Sequence, residues 1–238
     1  MREITHKGLA RLVGLYGSHA IDSNNLQILE SSSVEPDEIK REGLNRGMFE
    51  AIMTSIGWFA DHTNRAKELA IQNMNKASES YKFGESSWSR WLGWAFHFIT
   101  DWATPYHSLN TMKKYISGLK DEKDNNVSKN DTGPLWITLL DKFANLAVFK
   151  LDHDKFEDMC EKRWQQNVSI IKENFIKYKN NRLSFVDLKM FNEKMDRLRA
   201  QSENKLLEWI TDCSDQEFSL YMTDIAKVMD DACRIVLG

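Results

Sequence analysis

The sequence predicts an all-α protein built as a single-domain helical bundle, and three observations carry that prediction. Only 3 prolines and 11 glycines occur in 238 residues, too few turn-formers for a β-sandwich or barrel of this length. Apolar residues recur at steps of three and four along nearly the whole chain, with no useful alternating run and no internal repeat. With 42% hydrophobic and 28% charged residues, the composition is that of an ordinary globular chain able to bury a core.

The first helix is expected to start at Thr5 as N-cap, with an apolar face of Leu9, Leu12, Val13 and Tyr16. Residues 21–36 (IDSNNLQILESSSVEP) are polar and read as loop with short helical turns. Ala66, Leu69, Ala70, Met74 and Ala77 then step along a second helix. A third covers 87–103, and Pro105 helps to end it. Residues 118–134 (GLKDEKDNNVSKNDTGP) read as a polar loop closed by Gly133-Pro134. That loop is too short to separate two domains, so one domain over 1–238 is expected. Leu135, Leu139, Phe143, Leu146 and Ala147 mark a further helix. A separate, longer one follows, marked by Phe156, Cys160, Trp164, Ile171, Phe175 and Tyr178. Ser184 with Asp187 resembles a capping box ahead of Leu188, Phe191, Met195 and Leu198. The last helix buries Phe218, Met222, Ile225, Met229 and Val236.

Charge and cysteine usage narrow the function classes. The 32 basic and 35 acidic residues leave a net charge of −3, which excludes nucleic-acid binding by bulk basic charge but not by a local patch. No apolar run approaches the length of a transmembrane helix, and residues 1–20 lack the apolar core of a secretory leader. Three scattered cysteines, Cys160, Cys213 and Cys233, fit buried thiols in a reducing compartment better than a disulfide framework. The expected location is cytoplasmic for the chain as written, or secreted if a leader has been removed.

The six histidines carry the chemistry. In residues 91–107 (WLGWAFHFITDWATPYH), apolar side chains leave almost no polar face, so this helix belongs in the middle of the domain. It nevertheless carries His97 and Asp101, which at i and i+4 share one face. Burying both costs several kcal/mol unless each is paired or ligated. A His–Asp pair that merely fixes the core would satisfy that demand. His107, just past Pro105, tips the reading toward a metal site. His153 and Glu157 form a second i, i+4 pair; its charged setting (LDHDKFEDMCEKRW) also suits a solvated face. Together the two segments offer three histidines and two carboxylates, a donor set suited to zinc. His19 reads as a surface or capping residue, and the stripe of Trp88, Trp91, Trp94 and Trp102 as core.

HFITDWATPYH, a His-x3-Asp-x5-His pattern, resembles the central motif of the zinc-dependent phospholipase C family, which shares its fold with single-strand-specific nucleases. HDKFE is similar to that family's later His-x3-Glu, and THKGLARLVG to its early histidine near the start of the first helix. DIAKVMDDACRIVL lies where the family also ends in a helix. The resemblance implies three clustered zinc ions in an all-helical bundle. It implies Asp101 bridging two metals, His97 on one of them, His6 on another, and His107, His153 and Glu157 on the remaining one. It also implies an aspartate ahead of the central motif, matched here by Asp37 in SVEPDEI, as ligand and general base.

The sequence departs from the family in three places. Trp58 stands where a ligand histidine is expected, with His62 four residues on in GWFADHTN. Either His62 takes the role or one zinc site is incomplete. The chain begins Met1-Arg2, without the tryptophan whose freed amine serves secreted members. Residues 108–152 form an insertion that reads as a lid or specificity element. The expected function is therefore a phosphoric ester hydrolase using two or three zinc ions, acting on a phospholipid, nucleic acid or small phosphate ester. The alternative, motivated by Trp58, is a helical protein on the same scaffold that binds a ligand or partner without hydrolysis.

Overall fold

The computed structural model describes residues 3–38, 61–112, 135–181 and 185–238, with side chains throughout except for 135–147 and Asn181. Every regular element among them is helical: α1 (Glu3–Tyr16), α2 (Ser23–Ser32), α3 (Ala66–Lys82), α4 (Trp88–Ala103), a 3₁₀ turn (Pro105–His107), α5 (Leu135–Asn181), α6 (Leu188–Ser202), α7 (Leu207–Asp212) and α8 (Asp215–Leu237). The all-α reading holds, and these helices share one continuous core.

α4 runs through the middle, as its nearly unbroken apolar composition requires. Leu92, Ala95, Phe96 and Ile99 on it are completely buried. It packs on α1, α2, α3, α6 and α8. Three members of the tryptophan stripe, Trp88, Trp91 and Trp102, pack against the core as expected, whereas Trp94 donates to Glu35. α3 and α4 form a helical hairpin across residues 83–87, turned at Gly84 with φ 70°. Its amide there donates to the Tyr81 carbonyl at 3.1 Å. α4 stops at Ala103, and Thr104 is extended ahead of Pro105, as a residue before proline prefers.

Several local expectations are corrected. α1 begins at Glu3 and buries Thr5 inside it rather than using it as a cap. Residues 21–36, expected as loop, contain α2 and the start of a helical turn over 35–38. Asp22 caps α2 by accepting from the amides of Asn24 and Asn25, and Leu26 and Leu29 bury its inner face. The abundance of serine and asparagine conceals a helix that tertiary burial stabilises. The two helices expected over 135–178 are one, because residues 148–155 contain neither proline nor glycine to break it. α6 is capped by Asp187 itself, whose side chain accepts from the Met190 amide; Ser184 lies outside the described residues. The capping box is at α8, between Ser214 and Glu217. The loop 118–134 also lies outside the described residues, and residues 135–152 of the insertion are the first part of α5. No helix among the described residues is long and apolar enough to cross a membrane.

Candidate metal centre

The site starts from α4. His97 and Asp101 stand one turn apart, 0% and 1% exposed, and face the same way. α2 brings the next parts against them. At Gly93 of α4 an added Cβ would lie 2.8 Å from the Leu29 carbonyl oxygen and 2.6 Å from Ser32 Oγ, so only glycine permits this approach. The approach lets His97 Nδ1 donate to the Ser33 carbonyl at 2.9 Å, which aims the Nε2 lone pair at the cluster. The turn over 35–38 is then pinned to α4. Glu35 accepts from Arg90 Nε at 2.8 Å and Trp94 Nε1 at 2.7 Å, and Asp37 follows two residues on.

His6 enters from α1, His62 from a helical turn just before α3, and His107 from the 3₁₀ turn after α4. Asp101 is the hub. Its Oδ2 contacts His62 Nδ1 and lies 3.0 Å from His97 Nε2. Its Oδ1 is 3.2 Å from His107 Nδ1 and 4.0 Å from His6 Nε2. Asp37 Oδ1 sits 3.9 Å from His97 Nε2 and 4.0 Å from His62 Nδ1. A second focus lies beside the first. His107 Nε2 is 2.9 Å from His153 Nε2, which is 3.3 Å from Glu157 Oε1 on the same face of α5.

These spacings suit metal ions. Bonds of 2.0–2.1 Å in a tetrahedral site put donor atoms about 3.3 Å apart. Three sets of donors each lie within 4.8 Å of one another: His6 with Asp37 and His97; His62 with His97 and Asp101; His107 with His153 and Glu157. His6 supplies the clearest test of fit. It is 1% exposed and stacks on His97 with ring centroids 4.6 Å apart, yet neither ring nitrogen has a hydrogen-bond partner among the described residues. A buried imidazole left so is costly unless its lone pair meets an ion. The described residues therefore hold buried histidine–carboxylate clusters that can bind metal ions.

The electrostatics agree. Burial works against ionisation of Asp101, but His97, His62 and His107 around it hold its carboxyl well below the usual range. Asp37 is lowered as well, chiefly by His97 and against its own desolvation. Burial and the neighbouring His97 push His6 down to about 3, and burial pushes His107 down to about 4. Both rings are neutral at pH 7, the state that ligates. Burial also lowers His97, but the carboxylates of Asp101 and Asp37 outweigh it and raise it to about 8. A metal there must displace a proton.

All eight residues expected as ligands thus lie in these groups. His62, not expected with certainty, is in contact with Asp101; Trp58, the other candidate for that position, lies outside the described residues. His19 joins none of the groups. The Ser33 carbonyl is the part that no residue-type motif signals, because a main-chain oxygen leaves no trace in the sequence. No family model matches the chain, and no curated protein or solved structure matches it either.

Proposed function

We propose that this protein is a metal-dependent phosphoric ester hydrolase, similar in its site to the zinc-dependent phospholipase C family. The observation that carries the reading is Asp101, whose two oxygens face histidines from four different segments at once. Such a hub could serve adjacent ion positions, an arrangement suited to in-line displacement at phosphorus. His62, His97 and Asp101, with Asp37 at their edge, would hold one ion. His107, His153 and Glu157 would hold a second, and His6 with Asp101 or Asp37 a third. Imidazole and carboxylate donors favour zinc. Bound there, zinc supplies a Lewis acid for phosphate oxygens and a water of lowered pKa.

The chain's own residues do the rest. Asp37 is the least enclosed donor of the first focus, its side chain 33% exposed, so it can reach both an ion and a substrate-side water. It is ionised at neutral pH, the state from which a general base accepts that water's proton. The Ser33 carbonyl holds the His97 tautomer. Phospholipid, nucleic acid and small phosphate esters are the substrate classes this chemistry serves.

The test couples metal content to turnover. Protein purified without chelators is expected to contain two or three zinc ions by elemental analysis. It is expected to hydrolyse at least one of a generic phosphodiester, a phosphatidylcholine emulsion and single-stranded DNA. Asp37→Asn should lower the rate by about 10²–10⁴ while the melting temperature stays near wild type. Metal content near zero, or no turnover of any substrate, would favour the non-hydrolytic alternative.

A further inference from the structure

α6 contributes none of the eight donors, yet Arg199 on its last turn and Glu203 at its C-cap grip the segments that deliver them. Arg199 is only 9% exposed, and its guanidinium carbon lies 4.1 Å from the centre of the Trp102 ring. From there Nη1 donates to the Thr104 carbonyl and Nη2 to the Thr63 carbonyl, each at 3.3 Å. Thr63 follows His62 directly, and Thr104 opens the turn that carries His107. One helical turn later Glu203 accepts from Ser108 Oγ at 2.5 Å and from Asn110 Nδ2 at 3.2 Å. His107 is therefore bracketed from both sides by the C-terminal turn of α6 and its cap, and His62 is tied to the same bracket.

A buried guanidinium is an expensive way to fill space. An apolar side chain of similar volume often serves stability as well or better. A planar fork, by contrast, can hold two carbonyls from different segments at a set separation. Lysine cannot, having one compact charge. Arg199 also places positive charge behind a centre whose anionic hub, Asp101, is itself fully buried.

We propose that Arg199 and Glu203 are positioning residues that hold the His62 and His107 segments in register, so that α6 sets metal affinity without supplying a ligand. The proposal rests on the reading of the histidine–carboxylate groups as a metal centre. Residues that orient ligands in this way are typically worth about 10–100-fold in metal affinity.

The experiment measures zinc affinity by chelator competition on the full chain, with melting of the metal-free protein alongside. Wild type is compared with Arg199→Met, Arg199→Lys and Glu203→Ala. Arg199→Met is expected to weaken zinc binding by about 10–100-fold, and Arg199→Lys to restore only part of it. Glu203→Ala, at a half-exposed position, should fold normally and weaken binding about 10-fold. Cobalt(II) loaded in place of zinc should show an altered visible spectrum in these variants, a change that general loss of stability would not produce. Should Arg199→Met fail to fold, the lysine and Glu203 variants carry the test. Zinc affinity and cobalt spectrum matching wild type in the folded variants would overturn the brace and leave the metal centre standing. Absence of zinc binding by wild type would overturn both.

Discussion

The two foci of the centre differ in how the fold holds them. His6, His62, His97 and Asp101 are at most 2% exposed, locked between α1, α2 and α4. The side chains of His153 and Glu157, on α5, are 15% and 14% exposed. The inner focus is made by core packing, so its donors are held by the same contacts that hold the helices together. The outer focus joins one surface-reaching helix to the His107 turn. Donor geometry in the first is inseparable from folding stability; in the second the two can be altered independently.

The strongest way to break this contrast is to remove the hub. Asp101→Ala leaves buried histidines without their carboxylate and is expected to cost about 3–5 kcal/mol together with all bound metal. His153→Ala should cost less, because that side chain is partly exposed, and should lose a single ion. Melting curves and metal stoichiometry of the two variants check this. Equal stability losses would erase the distinction between the foci.

pH sharpens it next. In protein stripped of metal, His6 and His107 have folded-state pKa values below the unfolded value near 6.5. The unfolded chain then binds more protons, so stability falls as pH drops from about 6.5 toward 4. His97 works the other way. Raised to about 8, it contributes stability that is full below about 6.5 and lost as pH rises through about 8. Chemical denaturation of the chelated protein should therefore give a maximum near pH 6.5, with about 2 kcal/mol lost over the alkaline flank, where His97 alone acts, and a larger loss over the acid flank, where His6 and His107 act together. Bound zinc should flatten the alkaline flank, since ligation requires neutral His97.

A substitution at the helix contact tests the approach of α2. Gly93→Ala places a methyl group against the Leu29 carbonyl and Ser32, which should cost about 1–3 kcal/mol. Moving α2 would carry Ser33 and Asp37 away from His97. Zinc loss is then expected from the inner focus and not from His107, His153 and Glu157, with site-resolved cobalt spectra as the readout.

Much of the centre was legible in the primary structure because helical period alone aligns its pairs. His97 with Asp101, and His153 with Glu157, meet on one face wherever those helices lie. A carboxylate and an imidazole in an otherwise apolar helix signal a partner by their desolvation cost. α2 was illegible for the converse reason: its serines and asparagines favour caps and turns, and only burial of Leu26 and Leu29 against the core makes it a helix. Residue type alone suggests Thr5 and Ser184 as caps, but which polar residue caps a helix depends on where the chain enters it.

The sequence by itself determined the all-α class and most of its helices, the central place of α4 and the two local donor pairs, since each follows from periodicity and transfer cost within about two turns of chain. Tertiary structure alone decided that the pairs form one centre. His62 reaches Asp101 across 39 residues and His107 reaches His153 across 46, and no local propensity encodes such distances. The Ser33 carbonyl, the close approach at Gly93 and the grip of Arg199 across 136 residues on Thr63 belong to the same class. They are main-chain and packing contacts, which exist only once separate helices have been brought together by burying their apolar faces.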